Sequence, residues 1–542
     1  MAKTGEVQKI RDHLCGVAAA LALLFLVLVS LFPVSGRDVF LYLEVGRRFF
    51  AGEGLPATDI FRFTGTGAPL ELRHEFGAIL AWYLAYAAGG FSALVLLKTA
   101  LITATGVMPF WVARRLDPRQ LPCAVPLLAV AAFYGASGRF VERGSLFSDL
   151  FSTLVLALVL MIRARAGSPR LHRALIPAVF LVWVNCHAGY VVGFLLLILW
   201  ALADLAEFIT SRPERRAEAG LEFRRTLATA AAAVTLGLVN PLGWRAYGHL
   251  TRLFMDGLLS VARKSNYEYM SPFANVFIRE WDSRVCIATL LACTAVAALA
   301  TAKRVGREGW RKVPLFELLS LAVLIGLGFG MARFIITASF GAVTVAAALL
   351  AQERRATARE SGPDRARQLV FPALSVLIVA GCVAVAARGF VLPGGTLALE
   401  LGVDLARTPE GACAFIDANG IGVNLLNQYE YGAYLVWRWQ GRRKVFIHGF
   451  NADAGFLERD YLRLSRSWSD FDRIVATYRI GGILLEALPP GVSPSSLPPF
   501  RRRLLTDPQW REVYADGATA LYLRDVPENR AVIARYAARP LR

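Results

Sequence analysis

RDVFLYLE (Arg37–Glu44) opens a segment that closes on Arg73-His74-Glu75, and between these ends lie six carboxylates, five arginines and a histidine. A long apolar run precedes the segment and another follows it. So much charge between runs that leave water readily is expected at a membrane surface. The rest of the chain agrees: of 542 residues 56% are hydrophobic, with a mean hydropathy of +0.46. That balance predicts a polytopic membrane protein.

The net charge of +19 comes from 60 Lys and Arg against 41 Asp and Glu. Basic clusters between apolar spans are the ordinary topology signal of such proteins, so no nucleic-acid partner is expected. Most of the seven cysteines, among them Cys15, Cys123, Cys286, Cys293 and Cys382, fall in apolar runs and read as small hydrophobes. Neither a disulfide framework nor a zinc site is expected, because no CxxC or Cys/His metal spacing occurs.

The first apolar run extends from about Leu14 to Val34, too long for a signal-peptide core, and reads as an uncleaved anchor. Further spans read at roughly 91–113, 121–138, 146–162, 174–187, 189–209, 226–240, 284–302, 313–332, 335–351 and 369–388, about eleven in all. Alternate loops are rich in arginine, from Arg114, Arg115 and Arg119 through Arg163 and Arg165 to Arg354 and Arg355. They share a side with the amino terminus only if His74–Ala88 does not cross. The positive-inside rule makes that side cytoplasmic. The segment His74–Ala88, ending at Gly89-Gly90, is therefore expected as a helix lying in the interface.

An odd number of crossings places the chain after about Arg388 outside the cytoplasm. The expected architecture is an α-helical transmembrane domain over 1–388, with a first outer loop at 35–90, and a soluble α/β or α+β domain over 389–542. In that domain Val423–Gln428, Ala433–Trp439, Lys444–His448, Gly482–Leu485 and Ala518–Leu523 read as strands, and Glu458–Ser467 and Ser469–Tyr478 as helices. In a bacterium this means a multi-pass protein of the inner membrane with its carboxy-terminal domain in the periplasm.

This topology collects chemistry on the outer face. Asp38, Glu44, Asp59, His74 and Glu75 lie in the first loop, and Arg143 lies in the next. Asn185 and His187 follow in the hairpin VNCHAGY, Glu268 and Tyr269 in a long later loop, and Arg333 between two spans. Arginines are normally sparse on this face, and a planar guanidinium suits an anionic ligand such as a lipid-linked phosphate. Plainer roles compete: a helix cap for Asp38, an ion pair for Glu44, backbone satisfaction for Asn185 and His187, sheet packing for Tyr429, Tyr431 and Tyr434.

The motifs RDVFLYLEVGRRFFAGEGLPATDIFRFT and RHEFGAILAWYLAYAAGG, with ERGSLFS (Glu142–Ser148), VNPLGW (Val239–Trp244), MARFI (Met331–Ile335) and NQYEYGAYLVW (Asn427–Trp437), resemble the GT-C superfamily of integral-membrane glycosyltransferases. More closely they resemble a group of bacterial polytopic membrane proteins. The resemblance covers nearly the whole chain. It implies a polyprenyl-phosphate-linked sugar donor and a glycan, lipid or protein acceptor. It also implies an acidic residue in the first outer loop as catalytic base or metal ligand, by position Asp38. A divalent metal, Mg or Mn, is one possibility it leaves open. His74 and Glu75 are then a second base or metal-binding pair, and Arg143 and Arg333 candidates for the donor phosphate. Phe76 stands where relatives carry Trp, and the adjacent acidic pair of some relatives is missing after the first span. The alternatives are a catalytically silent scaffold of an envelope-polysaccharide assembly and a lipid or glycan transporter. The second would need polar residues along the middle of several spans.

Overall fold

The computed structural model describes residues 2–248, 267–274, 281–357 and 365–537, except 66, 69, 71, 393–394, 398, 406–407, 451–452, 465, 489–491 and 494–495. By its contacts the chain forms two compact units. One comprises Met1–Pro33, Phe91–Thr251 and Asn266–Gly402; the other joins Val34–Gly90 to Val403–Arg542. The first loop, placed by the sequence with the transmembrane domain, packs instead with the carboxy-terminal residues.

The first unit is helical. Its helices are α1 (Ala2–Ser30), the later part of α3 (Phe76–Leu116), α4 (Ala124–Ala136), α5 (Ser145–Arg163), α6 (Pro169–Cys186), α7 (Tyr190–Thr210) and α8 (Pro213–Leu236). They continue with α9 (Trp281–Glu308), α10 (Leu315–Gly330), α11 (Ile335–Thr357) and α12 (Arg365–Ala387). All eleven apolar runs are thus helical. Among the described residues, seven helical segments are long and apolar enough to cross a bilayer. The 13-residue α4 and 16-residue α10 fall short of the ~20 residues that a full crossing takes. This is a membrane protein.

Inside the helical unit Lys98 and Glu142, both fully buried, pair at 2.8 Å, and the ammonium also donates to the Phe32 carbonyl at 2.9 Å. A buried cation needs such partners. Cys15 and Cys123 form a disulfide across 108 residues, which corrects the reading of both as simple apolar fillers. Their Cα atoms are 5.2 Å apart, within reach of a bridge that sequence spacing gives no hint of.

The expected break at Gly89-Gly90 is present. Gly89 leaves helical geometry, and Gly90 adopts φ 62°, ψ −151°, a conformation open in practice only to glycine. The helix beginning at Phe76 therefore ends there, and a new one starts at the unit boundary.

The second unit holds α2 (Val39–Arg48), the helix from Phe76 to Gly90, and a four-stranded sheet in the order β3-β4-β6-β5. A short hairpin, β1 (Phe390–Leu392) and β2 (Gly395–Leu397), precedes it in sequence. The sheet strands are β3 (Asn424–Asn427), β4 (Ile480–Glu486), β5 (Trp510–Ala515) and β6 (Thr519–Arg524), with β3 parallel to β4 and the other pairs antiparallel. Three of the five expected strands form, and β5 joins them unforeseen. Ala433–Trp439 is instead helical as Gly432–Arg438, because Ala433, Tyr434 and Val436 are all buried, which a one-sided strand with alternating faces cannot do. Lys444–His448 belongs to no strand of the sheet; Val445 makes an isolated bridge with Arg62. The expected helix Ser469–Tyr478 is present as Trp468–Thr477; Glu458–Ser467 is shorter and shifted, as Ala454–Arg459 with a single 3-10 turn after it.

The segment around Val445 receives the first loop. Val445 N–H donates to the Phe61 carbonyl at 2.8 Å, and Phe63 N–H donates to the Val445 carbonyl at 3.1 Å. Thr64 Oγ1 adds a bond to the Phe446 carbonyl at 2.7 Å. On its other side Asn427 of β3 accepts from Phe446 N–H at 2.8 Å and donates to the Ile447 carbonyl at 2.9 Å. Backbone groups that a buried loop would otherwise orphan are thus satisfied.

Candidate active site

Two groups of candidate side chains result, one in each unit. In the second unit Asp38 stands just before α2. Its backbone is already helical and its side chain makes no capping bond, so the carboxylate is not used as a helix cap. It is half-buried against Gly449, where the Cβ of any other residue would fall well inside contact distance of Asp38 Oδ1. Tyr42 lies one turn along the same helix face. Its hydroxyl donates to the Glu75 carboxylate, and its ring packs on Phe450 at 5.4 Å. His74 Nε2 is 3.4 Å from the buried Glu75. Tyr429 donates to the Gly449 carbonyl at 2.9 Å, and the Arg37 guanidinium lies 6.0 Å from the Tyr431 ring centroid.

Around Asp38, His74 and Glu75 stand Tyr42 and Gly449, which the sequence did not single out, and Tyr429, for which it favoured sheet packing. The i, i+4 relation of Asp38 to Tyr42 was the one available signal. Tyr431 and Tyr434 donate to the Ala518 carbonyl and to Glu410, at 3.0 and 2.7 Å, as packing residues of the domain.

Glu44 and Asp59 serve ion pairs. Glu44 is 1% exposed and binds Arg47 and Arg48 at 2.8 and 2.7 Å. Asp59, equally buried, binds Arg62 Nε at 2.5 Å and His448 Nε2 at 3.1 Å. It also accepts the backbone N–H groups of Phe61 and Arg62. His448 Nδ1 accepts the Phe450 N–H at 3.2 Å, which leaves Nε2 to carry the proton that faces Asp59. Burial alone would raise the Asp59 carboxyl; His448 and Arg62 outweigh it and hold the group well below the usual carboxylate range.

In the helical unit, Arg139 and Arg143 both bind Glu268, the former at 2.7 Å. Burial would raise Glu268, but the two guanidinium groups together keep its carboxyl far below the ordinary range. The Arg333 guanidinium lies 4.7 Å from the Tyr269 ring centroid, a cation–π contact. Four of the predicted residues, Arg143, Glu268, Tyr269 and Arg333, thus belong to one charged cluster joined by the turn Tyr267–Tyr269. Asn185 and His187 take the plainer role. Asn185 Nδ2 donates to the Leu181 and Val239 carbonyls, each at 2.8 Å. His187 Nδ1 accepts from Gly189 N–H at 3.0 Å and lies 2.8 Å from Ser148 Oγ, which itself accepts from Trp183 Nε1. Asp256, Arg263, Lys264, Arg279 and Glu280 of the long loop lie outside the described residues.

The fold built from these elements is similar to that of several solved structures. One solved structure like it is the Archaeoglobus fulgidus oligosaccharyltransferase tethered with an acceptor peptide, at 12% identity and TM-score 0.56, over 88% of this chain and 69% of that one. The same enzyme in complex with Zn and sulfate matches at 11% identity and TM-score 0.51, over 87% and 68% of the two chains. The arabinofuranosyltransferase AftD from Mycobacteria matches at 15% identity and TM-score 0.50, over 94% of this chain but 41% of its own. No protein-family model and no curated protein matches the sequence. Likeness at such identity speaks for the fold alone. A metal held by protein groups would need several ligands together; among the described residues no three of His, Cys, Asp and Glu are so placed.

Proposed function

We propose that this protein is a glycosyltransferase of the bacterial inner membrane that moves a sugar from a polyprenyl-phosphate carrier to an extracytoplasmic glycan, lipid or protein. In this reading the amino terminus is cytoplasmic and the sheet domain periplasmic. The observation that carries it is Asp38: a carboxylate at the start of the loop after the first apolar helix, half-buried and not spent on capping, in a chain whose fold is similar to that of solved transferases.

Asp38 takes the proton of the acceptor hydroxyl. The freed oxygen forms a bond to the anomeric carbon as the bond from that carbon to the donor phosphate breaks, and the polyprenyl phosphate leaves with the electron pair. Glu75, fixed by Tyr42 and next to His74, supports the acceptor side. Arg143 and Arg333 receive the negative charge that develops on the phosphate. The test is transfer by purified protein in proteoliposomes, with a panel of polyprenyl-phosphate sugars and envelope acceptors. Asp38→Asn is expected to lower kcat by about 10²–10⁴-fold with an unchanged melting temperature. Transfer at the full rate by that variant would remove Asp38 from the chemistry.

A further inference from the structure

At the arginine-rich end of the helical unit, the ends of α3, α5, α7, α9 and α11 and the start of α10 enclose a cavity of about 700 Å³. Its wall carries six cations and four carboxylates. Arg163 and Arg307 are neutralised by Asp204 and Glu353. Arg304, Arg311, Lys312 and Arg355 make no ion pair with a carboxylate among the described residues. Arg304 reaches the Gln352 amide oxygen at 3.0 Å, and its buried Nε has no hydrogen-bond partner. This site is distinct from the Arg143 cluster: the 19 residues of α5 separate Arg163 from the outer end of that helix by about 28 Å.

The mouth has the character of a bilayer surface. Gly309 turns the chain at φ 83°, and the next residue, Trp310, is 82% exposed in a single turn with Arg311 and Lys312. An exposed Trp beside basic residues marks the headgroup level of a membrane. Along the helices leading away from the cavity, Ile198, Leu202 and Ile209 of α7 and Leu299 of α9 are exposed apolar surface on which acyl chains can lie. Alanines, Val313, Pro314 and Leu315 supply an apolar floor beside the cations.

We propose that this cavity holds the phosphate headgroup of an anionic phospholipid, with Arg304, Arg311 and Lys312 as its principal contacts. Basic pockets between helices at a membrane surface bind such headgroups. A free phosphate ion would use the same cations but would gain nothing from the apolar flank. The inference does not depend on the transferase reading.

The experiment is native mass spectrometry and thermal stabilisation of the full chain in detergent, with added phosphatidylglycerol, phosphatidylcholine or inorganic phosphate. Wild-type protein is expected to retain and be stabilised by phosphatidylglycerol in preference to the other two. Arg304→Gln with Arg311→Gln and Lys312→Gln is expected to weaken that binding on the order of a hundredfold, at about fivefold per cation lost. The triple Arg212→Gln, Arg215→Gln, Arg216→Gln, basic residues at the start of α8, is expected to leave it unchanged. Should the first triple fold poorly, the exposed pair Arg311→Gln and Lys312→Gln carries the test, with an expected loss on the order of twenty-five-fold. Equal retention of phosphatidylcholine, equal stabilisation by inorganic phosphate, or undiminished binding by the first variants would each overturn the assignment.

Discussion

Replacing Asp59 by Asn isolates the bond that docks the first loop. Arg62 is 1% exposed and His448 fully buried, so the carboxylate is the charge that makes burying the guanidinium tolerable. Breaking a buried pair on one side costs about 3–5 kcal/mol, because the remaining charge stays buried without its partner. That cost falls on the local opening that frees Phe63 and Val445, whose amides are bonded across the loop junction. At 1.36 kcal/mol per decade, hydrogen-exchange protection of these two amides should drop by roughly a hundredfold to several-thousand-fold. The assay is hydrogen–deuterium exchange with fragments covering 59–64 and 444–449. Asp59→Leu combined with Arg62→Met should be milder than Asp59→Asn, since an apolar pair of similar volume leaves no unpaired charge. The pH dependence has a definite sign. A depressed carboxyl contributes its stability in full above its unfolded value near 3.8 and loses it as pH falls through its folded value. The gap between wild type and Asp59→Asn should therefore narrow on acidification below about pH 3.8 and stay constant above it. Protection at Phe63 and Val445 unchanged within about threefold would refute the reasoning.

Gly449→Ala adds a methyl against Asp38 Oδ1 without demanding an unusual backbone. The carboxylate must shift on the order of 1 Å, and kcat should fall about a hundredfold while the melting temperature moves little. An unaltered rate would separate Gly449 from the site. Arg143→Gln should reduce kcat/KM for a lipid-phosphate donor by at least about tenfold. Glu268→Gln, which weakens the competing hold on the same guanidinium, should lower KM for that donor; identical donor kinetics in both variants would argue that the pair is purely structural.

Much of the helical unit is legible in one dimension. Helices satisfy their own backbone in a bilayer, so hydropathy and run length locate them without knowledge of neighbours. That is why every apolar run from about Leu14 to Arg388 is found helical, and why Gly89-Gly90 marks a break. The sheet domain is harder. Ala433–Trp439 has a strand's composition and forms a helix, because burial on all sides there is set by partners distant in sequence. The candidate site divides in the same way.

From sequence alone came the membrane class, the helices, the carboxylates of the first loop and the arginines Arg143 and Arg333, since composition and spacing depend only on local order. Which of those charges are engaged was decided by tertiary structure. Asp59 meets His448 nearly four hundred residues away, Glu44 is enclosed by Arg47 and Arg48, and Arg143 is gripped by Glu268. Asp38 lies against Gly449, where a Cβ would crowd its carboxylate. Ion pairing and packing act through distance in space, and no local pattern encodes which partner will arrive.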